Sequence, residues 1–135
     1  MKIAIVGAGI GGLTAAALLE EQGHQVKVFE KNNSINELSA GIGIGDNVLK
    51  KLGHHDLAKG IKNAGQNLTA MNIYDEQGTP LMCAKLKTHS LNVALSRQTL
   101  IEIIQSYVKE SSIHTGFKVT KIEQTSCKVT PVSYT

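Results

Sequence analysis

The first thirty residues alternate between short apolar runs and one long Ala/Leu-rich segment. Residues 3–6 (IAIV) form a continuous apolar run that ends at a glycine, which is typical of a parallel strand buried on both faces. Residues 11–22 favour a helix, and Gly23 follows at the place where helices end. Residues 26–30 (VKVFE) repeat the strand pattern. The order predicts a β-α-β unit with two parallel strands.

The middle of the chain predicts two short helices and a hairpin. Asp46 stands where it can cap a helix over residues 47–52, and a second helical patch covers residues 55–61. Residues 69–85 have the pattern of two strands around a turn at residues 75–78.

The clearest helix signal in the chain follows Ser96, a favoured N-cap residue. Apolar side chains then recur at spacings of three and four residues, which indicates one apolar helix face. These positions are Leu100, Ile103, Ile104, Tyr107 and Val108. The spacing predicts a helix whose apolar stripe packs in the core.

The final segment predicts a β-hairpin. Residues 117–123 and 127–132 have strand patterns on either side of residues 124–126, and Pro131 is expected to end the second strand. Together with the β-α-β unit, this predicts an α/β fold over residues 1–135. The fold class is a single Rossmann-like domain with a parallel sheet plus a β-hairpin or meander.

Composition and charge exclude several classes of function. The chain has 135 residues, 41% apolar and 19% charged, which fits one folded domain. The net charge of +3 is scattered, without interleaved basic and aromatic residues, so we predict no nucleic-acid partner. No apolar run approaches the ~20 residues that span a membrane, and the first residues lack a signal-peptide pattern. We therefore predict a cytoplasmic protein without membrane attachment.

No metal site is predicted. Cys83 and Cys127 lie far apart and form no metal-ligand spacing. The only adjacent histidines, His54 and His55, cannot readily face one metal from the same side of a helix. Both thiols are expected to be free packing groups.

The glycines between the first strand and helix form a recognisable motif. Gly7, Gly9 and Gly12 give the spacing G-x-G-x-x-G, with Gly11 as an additional glycine. The motif alone is weak, but here it follows a predicted strand and opens a predicted helix. The first glycine permits the tight turn, the second lets the backbone approach a pyrophosphate, and the third lets helix and strand pack closely. The helix N-terminus then favours phosphate.

An acidic residue strengthens this interpretation. Glu30 ends the second predicted strand, near the spacing expected for an acid that binds ribose hydroxyls. A carboxylate there accepts hydrogen bonds from both hydroxyls and repels a 2′-phosphate. The residues thus predict FAD or NAD rather than NADP. The alternative is a ligand-free turn with a surface acid.

Three segments in order resemble a known family. Residues 3–31, residues 41–53 (GIGIGDNVLKKLG) and residues 95–104 (LSRQTLIEII) are similar to the N-terminal part of the FAD-dependent aromatic hydroxylases. These are flavoprotein monooxygenases related to para-hydroxybenzoate and salicylate hydroxylases. The resemblance favours FAD over NAD as the cofactor. It implies that the parent protein uses NAD(P)H to hydroxylate an aromatic or similar small molecule.

The resemblance also assigns roles to residues of the first segment. Gly7, Gly9 and Gly12, with Ile10 and Gly11 between them, would face the FAD pyrophosphate. Glu30 would hold the adenosine ribose, and Lys31 would lie beside the adenine end. A solvated surface charge is the alternative for Lys31.

Three further residues take roles from the resemblance. Gly43 would let the backbone approach the flavin side of FAD. Arg97, at the start of the predicted helix, would contact the ribityl or pyrophosphate region, and a fixed positive fork suits such a ligand. Val119 would offer a backbone contact to adenine. The alternatives are an exposed first-turn arginine and a plain core valine.

The chain also departs from the family. Two motifs that lie further along in family members, an Asp-Gly segment and a Gly-Asp segment, have no counterpart here. We therefore expect an N-terminal fragment without catalytic residues of its own, inactive alone, whose exposed apolar surface favours homo-oligomers. Two other functions stay open: an NAD-binding dehydrogenase module, and a non-catalytic, self-associating Rossmann-like remnant.

Overall fold

The structure is a computed structural model that describes residues 1–35, 40–52, 55–86, 92–124 and 129–132. His54, Cys127 and most of the turn predicted at residues 124–126 lie outside the described residues. The chain forms two compact units. The first unit comprises residues 1–38 and 100–135, and the second unit comprises residues 39–99.

Strands and helices alternate at first and strands then dominate. In chain order the elements are β1 (Lys2–Val6), α1 (Ile10–Glu21), β2 (Gln25–Phe29), β3 (Gly41–Ile44), α2 (Asp46–Lys51), α3 (Asp56–Ala64), β4 (Gln66–Asn67), β5 (Ala70–Tyr74), β6 (Pro80–Lys85), β7 (Val93–Ser96), α4 (Arg97–Gln105), a 3-10 helix (Glu110–Ser112), β8 (Ile113–His114), β9 (Lys121–Gln124) and β10 (Val129–Val132).

The first unit is built on the predicted β-α-β unit. Strands β1 and β2 are parallel, with Ile3 opposite Val26, and β8 adds a third parallel strand beside β2. Helix α1 ends where Gly23 adopts a φ of +82°, a conformation that glycine takes without strain. The β-α-β prediction is therefore confirmed.

Strand β1 is less buried than its sequence predicts. It lies at the edge of the sheet order β1-β2-β8, and α1 covers only one of its faces. Ala4 is exposed and Val6 is 59% exposed. The prediction of a strand buried on both faces is wrong for this chain, because only one face of β1 meets a packed layer within the described residues.

The second unit contains two small antiparallel sheets. Strands β3, β7 and β4 form one, in that order, with Ile42 opposite Leu95. Strands β5 and β6 form the predicted hairpin, whose turn contains Gly78 at a φ of +83°. Helix α3 confirms the second helical patch. Asp46, predicted as a cap, is instead the first residue of α2, and Gly45 is the N-cap.

Helix α4 begins in the second unit and continues into the first. The Ser96 hydroxyl accepts the Thr99 N–H at 2.9 Å, which confirms Ser96 as the N-cap. Leu100 and Ile104 are fully buried, as the stripe predicts. Tyr107 lies beyond the helix end and is 40% exposed, so its predicted core position is wrong.

The final hairpin has the predicted pairing but a different end. Strands β9 and β10 are antiparallel. Pro131, expected to end the second strand, lies inside β10 opposite Ile122. This is tolerated because β10 pairs with β9 alone among the described strands, so Pro131 can lack an N–H on its other edge. Within the described residues, no helix has both the length and the apolar character needed to cross a membrane.

Candidate functional site

The glycine motif forms the turn between β1 and α1 in the first unit. Gly7 adopts a φ of +98°, and its N–H donates to the Phe29 carbonyl oxygen at 2.8 Å. Residues other than glycine rarely adopt this conformation. Gly7 therefore ties the end of β1 to the end of β2 while the chain reverses towards α1.

The glycines of the motif serve different needs. A Cβ at Gly12 would lie 2.0 Å from the Gly7 carbonyl oxygen, so the fold itself requires glycine there. Among the described residues, a Cβ at Gly9 or Gly11 would meet no protein atom within 4 Å. Gly9 also has an ordinary φ of −76°. The fold does not require glycine at positions 9 and 11, and the open space beside them can admit a ligand.

The N-terminus of α1 opens at this space. Gly9 is its N-cap, no side chain among the described residues caps it, and its first turn contains no acidic residue. The first N–H groups of an α-helix have no partner within the helix and carry a partial positive charge. Ile10, Gly11 and Gly12 therefore present the kind of site that binds phosphate.

Glu30 lies beside this turn and is 9% exposed. Its Oε2 accepts the Ala8 N–H at 2.9 Å, and its Oε1 accepts the Asn32 N–H at 2.9 Å. Burial raises the pKa of Glu30, but these hydrogen bonds and the charge of Lys31 outweigh it and lower the pKa below the ordinary value of 4.5. The carboxylate is thus ionised at neutral pH. The two oxygens of a carboxylate together offer about four acceptor sites, so beside its backbone donors Ala8, Asn32 and Lys31 this group can still accept a hydrogen bond from a ligand hydroxyl.

Sequence reasoning missed the backbone partners that surround Glu30. The Ala8 N–H and the Asn32 N–H hold its carboxylate, and the Gly116 N–H donates to the Asn32 carbonyl oxygen at 2.8 Å. The available signal for Gly116 was a glycine directly before the strand pattern of residues 117–123. Its pairing with residues 84 positions earlier was not visible in the sequence.

Lys31 is adjacent to this acid in sequence, and Val119 belongs to a distant segment of the chain. Lys31 is exposed and follows Glu30 directly. Val119 is half-buried in the segment that joins β8 to β9, so it is not a plain core valine.

Gly43 and Arg97 lie in the second unit. Strand β3 pairs with β7, with Gly43 opposite Ala94 and Gly41 opposite Ser96. A Cβ at Gly43 would meet no atom of the part of the chain that the structure describes within 4 Å. Arg97 follows Ser96 at the start of α4, and its N–H donates to the Ala40 carbonyl oxygen at 2.8 Å. The structure thus brings Arg97 to the end of the strand that carries the glycine-rich pattern.

Comparison with known proteins gives two kinds of match. Residues 5–55 match the model of an NAD(P)-binding Rossmann-like domain. The chain is 31% identical to the FAD-dependent urate hydroxylase of Klebsiella pneumoniae, over 96% of this chain and 35% of that protein. It is 51% identical over 51 residues to the 6-hydroxynicotinate 3-monooxygenase of Pseudomonas fluorescens, which covers 38% of this chain and 13% of that enzyme.

A solved hydroxylase structure is similar to this chain over nearly its whole length. HpxO of Klebsiella pneumoniae, complexed with FAD and uric acid, is similar with a TM-score of 0.81 at 29% identity. The match covers 96% of this chain and 34% of that one. The resemblance to the FAD-dependent hydroxylases is confirmed. The predicted Rossmann-like α/β fold is confirmed with it.

The hydroxylase comparison also decides between the two dinucleotides. The NAD(P)-binding model covers the β-α-β unit and its continuation to residue 55, a region that FAD-binding and NAD-binding proteins build alike. The match to the urate hydroxylase extends far beyond that region. FAD is therefore the cofactor of the proteins that this chain resembles along its length, as predicted. The chain spans about a third of the length of that urate hydroxylase.

Proposed function

We propose that the chain binds FAD, and that its first unit holds the ADP half of the cofactor. The observation that supports this most directly is the hydrogen bond from the Ala8 N–H to Glu30 Oε2 at 2.9 Å. It places an ionised acid beside the glycine motif, next to the N-terminus of α1. A ribose acceptor and a phosphate site are then neighbours, as an adenosine diphosphate requires.

Different residues of the first unit are proposed to bind different parts of the ADP moiety. The N–H groups of Ile10, Gly11 and Gly12 would bind the pyrophosphate, with Gly7 shaping the turn and Gly9 leaving room for phosphate oxygens. The remaining lone pairs of the Glu30 carboxylate would accept the ribose hydroxyls. Lys31 and the backbone of Val119 are proposed to flank the adenine.

The second unit would serve the other half of FAD. Gly43 has open space where a side chain would stand, so the backbone of β3 can come close to a ring or ribityl chain. The Arg97 guanidinium suits an anionic or hydroxyl-rich ligand. We assign Gly43 to the flavin side and Arg97 to the ribityl or pyrophosphate region.

The parent activity proposed is NAD(P)H-driven hydroxylation of an aromatic or similar small molecule. The relatives are named for urate and 6-hydroxynicotinate. When bound, the flavin would supply the oxygen-activating chemistry, and this chain would contribute binding and orientation. The lack of activity of these 135 residues alone, their assignment as a single domain and a cytoplasmic location stay predictions.

Self-association through apolar surface also stays a prediction, and the β5–β6 hairpin supports it. Met71 lies opposite Ala84 and Ile73 lies opposite Met82, so four apolar side chains share one face. Met71 is 52% exposed and Ile73 is 46% exposed. Apolar faces of this kind favour association.

FAD retention tests the proposed function directly. The purified chain, incubated with FAD and then desalted, is expected to show flavin absorbance that moves to the supernatant after denaturation. NAD, incubated in the same way, is expected to be lost on desalting. A chain that binds NAD and retains no FAD would instead support the dehydrogenase alternative, and one that binds neither would support the remnant.

Gly9→Ala is expected to weaken FAD binding without destabilising the chain. The added methyl meets no atom of the described ranges within 4 Å and the φ of Gly9 suits alanine, but the methyl occupies the space proposed for the pyrophosphate. We expect FAD affinity to fall about ten-fold or more, since one displaced charge-assisted contact is worth that much. Fluorescence titration with FAD gives the affinity, and thermal unfolding of the same sample checks the fold. Unchanged affinity would contradict the pyrophosphate assignment.

A further inference from the structure

Three backbone hydrogen bonds join the segment around Glu30 to the segment after β8. The Glu30 N–H donates to the His114 carbonyl oxygen at 2.9 Å, and the Phe117 N–H donates to the Glu30 carbonyl oxygen at 2.8 Å. Between them, the Gly116 N–H donates to the Asn32 carbonyl oxygen at 2.8 Å. The backbone of the ribose acid is therefore fixed from a strand that follows it far along the chain.

The Gly116 bond is one step away from the carboxylate. The Asn32 carbonyl oxygen receives the Gly116 N–H, and the Asn32 N–H in turn donates to Glu30 Oε1 at 2.9 Å. The direction in which Asn32 offers its N–H is thus set from Gly116. A turn of this segment would move the donor away from Oε1 and release one oxygen of the acid.

Gly116 can hold this position because of its backbone conformation. Its φ is +70°, in the left-handed region that favours glycine. A Cβ would also lie 2.9 Å from Asn33 Oδ1, but that side chain is exposed and free to turn aside. The main obstacle to other residues is therefore the backbone angle.

The flanks of Gly116 are anchored, so the segment cannot easily shift to relieve strain. Phe29 stacks on His114 at 5.3 Å between ring centroids, and it contacts Phe117 at 4.8 Å. These two rings lie on either side of Gly116 in sequence. A residue that disfavours a positive φ would have to rotate the peptide that carries the Gly116 N–H.

We propose that Gly116 is a positioning residue for Glu30. Its left-handed backbone fixes the orientation of Asn32, and Asn32 in turn orients the Glu30 carboxylate so that it can accept hydrogen bonds from the 2′- and 3′-hydroxyls of a ribose. This rests on the proposed function, because the ligand is the ADP half of FAD. Gly116 itself touches no ligand. Its effect is on the discrimination between a ribose and a 2′-deoxyribose.

The test compares ADP with 2′-deoxy-ADP on the full chain by calorimetric titration. The wild-type chain is expected to prefer ADP about ten-fold or more, the value of a hydrogen bond to a carboxylate. Gly116→Val, which strongly disfavours a positive φ, is expected to bring the ratio of the two affinities close to one. Gly116→Asn, which tolerates this conformation, is expected to keep the ratio.

The ratio separates positioning from general destabilisation. A variant that is merely less folded loses affinity for both nucleotides equally and keeps the ratio. The proposal would be overturned if Gly116→Val kept the wild-type preference for ADP over 2′-deoxy-ADP. It would also be overturned if the valine and asparagine variants lost this preference to the same extent. If Gly116→Val does not fold, Gly116→Ala decides in the same way, with a reduced ratio supporting the proposal and an unchanged one opposing it. A wild-type chain that binds neither nucleotide would count against the proposed function instead.

Discussion

Gly12→Ala is expected to lower the free energy of unfolding by about 3 kcal/mol or more, the upper range for overpacking. The new Cβ would lie 2.0 Å from the Gly7 carbonyl oxygen and 3.1 Å from its carbonyl carbon. Both atoms belong to the backbone, so no side chain can turn aside. Either α1 must move away from β1 or the tight turn at Gly7 must open.

Gly11→Ala is the matched control for this change. It makes the same substitution at the neighbouring position, where the new Cβ meets no atom of any described residue within 4 Å. Alanine also favours helices over glycine by about 1 kcal/mol, so this variant is expected to be as stable as the wild type or slightly more stable. Urea unfolding followed by circular dichroism measures both. Similar midpoints for the two variants would contradict the close packing at Gly12.

The same contrast explains how much of the glycine motif the sequence could predict. The spacing of Gly7, Gly9 and Gly12 indicated a turn that packs a helix on a strand, and local geometry confirms the packing role of Gly12. At position 9 the described part of the protein imposes no such requirement, because none of its atoms lies within 4 Å of an added Cβ, and a requirement for glycine there belongs to the proposed ligand. A sequence pattern merges these two requirements, and the structure separates them.

Elements defined by a local pattern were predictable. The β-α-β unit and the β5–β6 hairpin follow from strand and helix patterns that directly succeed one another in the sequence, and the N-cap of α4 follows from Ser96, three residues before Thr99. Strand β8 has only two residues and exists because it pairs with β2, with Val28 opposite Ile113. Strand β7 has four residues and lies between β3 and β4, which come from distant parts of the sequence. Pairings over such distances leave no periodic signal.

In the candidate site, too, some features follow from nearby sequence and others from contacts between distant segments. Glu30 was predictable from its distance to the glycine motif, because that distance is set by the length of one helix. The donor at Asn32 and the bond from Gly116 depend on how the end of β2 meets the segment after β8. The exposure of Val6 was also missed, because an apolar strand predicts burial but cannot say what covers its second face.

Glu30→Gln is expected to reduce both stability and FAD affinity. The amide keeps the shape of the side chain, but its NH₂ group would face one of the two backbone N–H donors, from Ala8 or Asn32. A lost hydrogen bond to a charged group costs about 1.5–3 kcal/mol, and the ribose loses its anionic acceptor. We expect the free energy of unfolding to fall by about 2 kcal/mol and FAD affinity to fall about ten-fold or more.

Glu123→Gln is the control for the loss of a charge. Glu123 lies on β9 and pairs with Lys121 at 2.9 Å on the surface, where ion pairs contribute little. This variant is expected to unfold at the same urea concentration as the wild type and to bind FAD with the same affinity. Equal effects in the two variants would show that net charge, rather than the position of Glu30, is responsible.

Measuring the free energy of unfolding at acid pH tests whether the charge of Glu30 causes its contribution to stability. The pKa of Glu30 is lowered on folding, below the ordinary value of 4.5, so the folded chain binds its proton less readily than the unfolded chain. The resulting stability is fully present above pH 4.5 and is lost as the pH falls through the lower pKa of the folded state. The difference in unfolding free energy between wild type and Glu30→Gln is therefore expected to be constant near neutral pH. Below pH 4.5 it should shrink, because the wild-type carboxyl also becomes neutral. A difference that stays constant through this acid range would mean that the amide destabilises the chain by its shape and not by the missing charge.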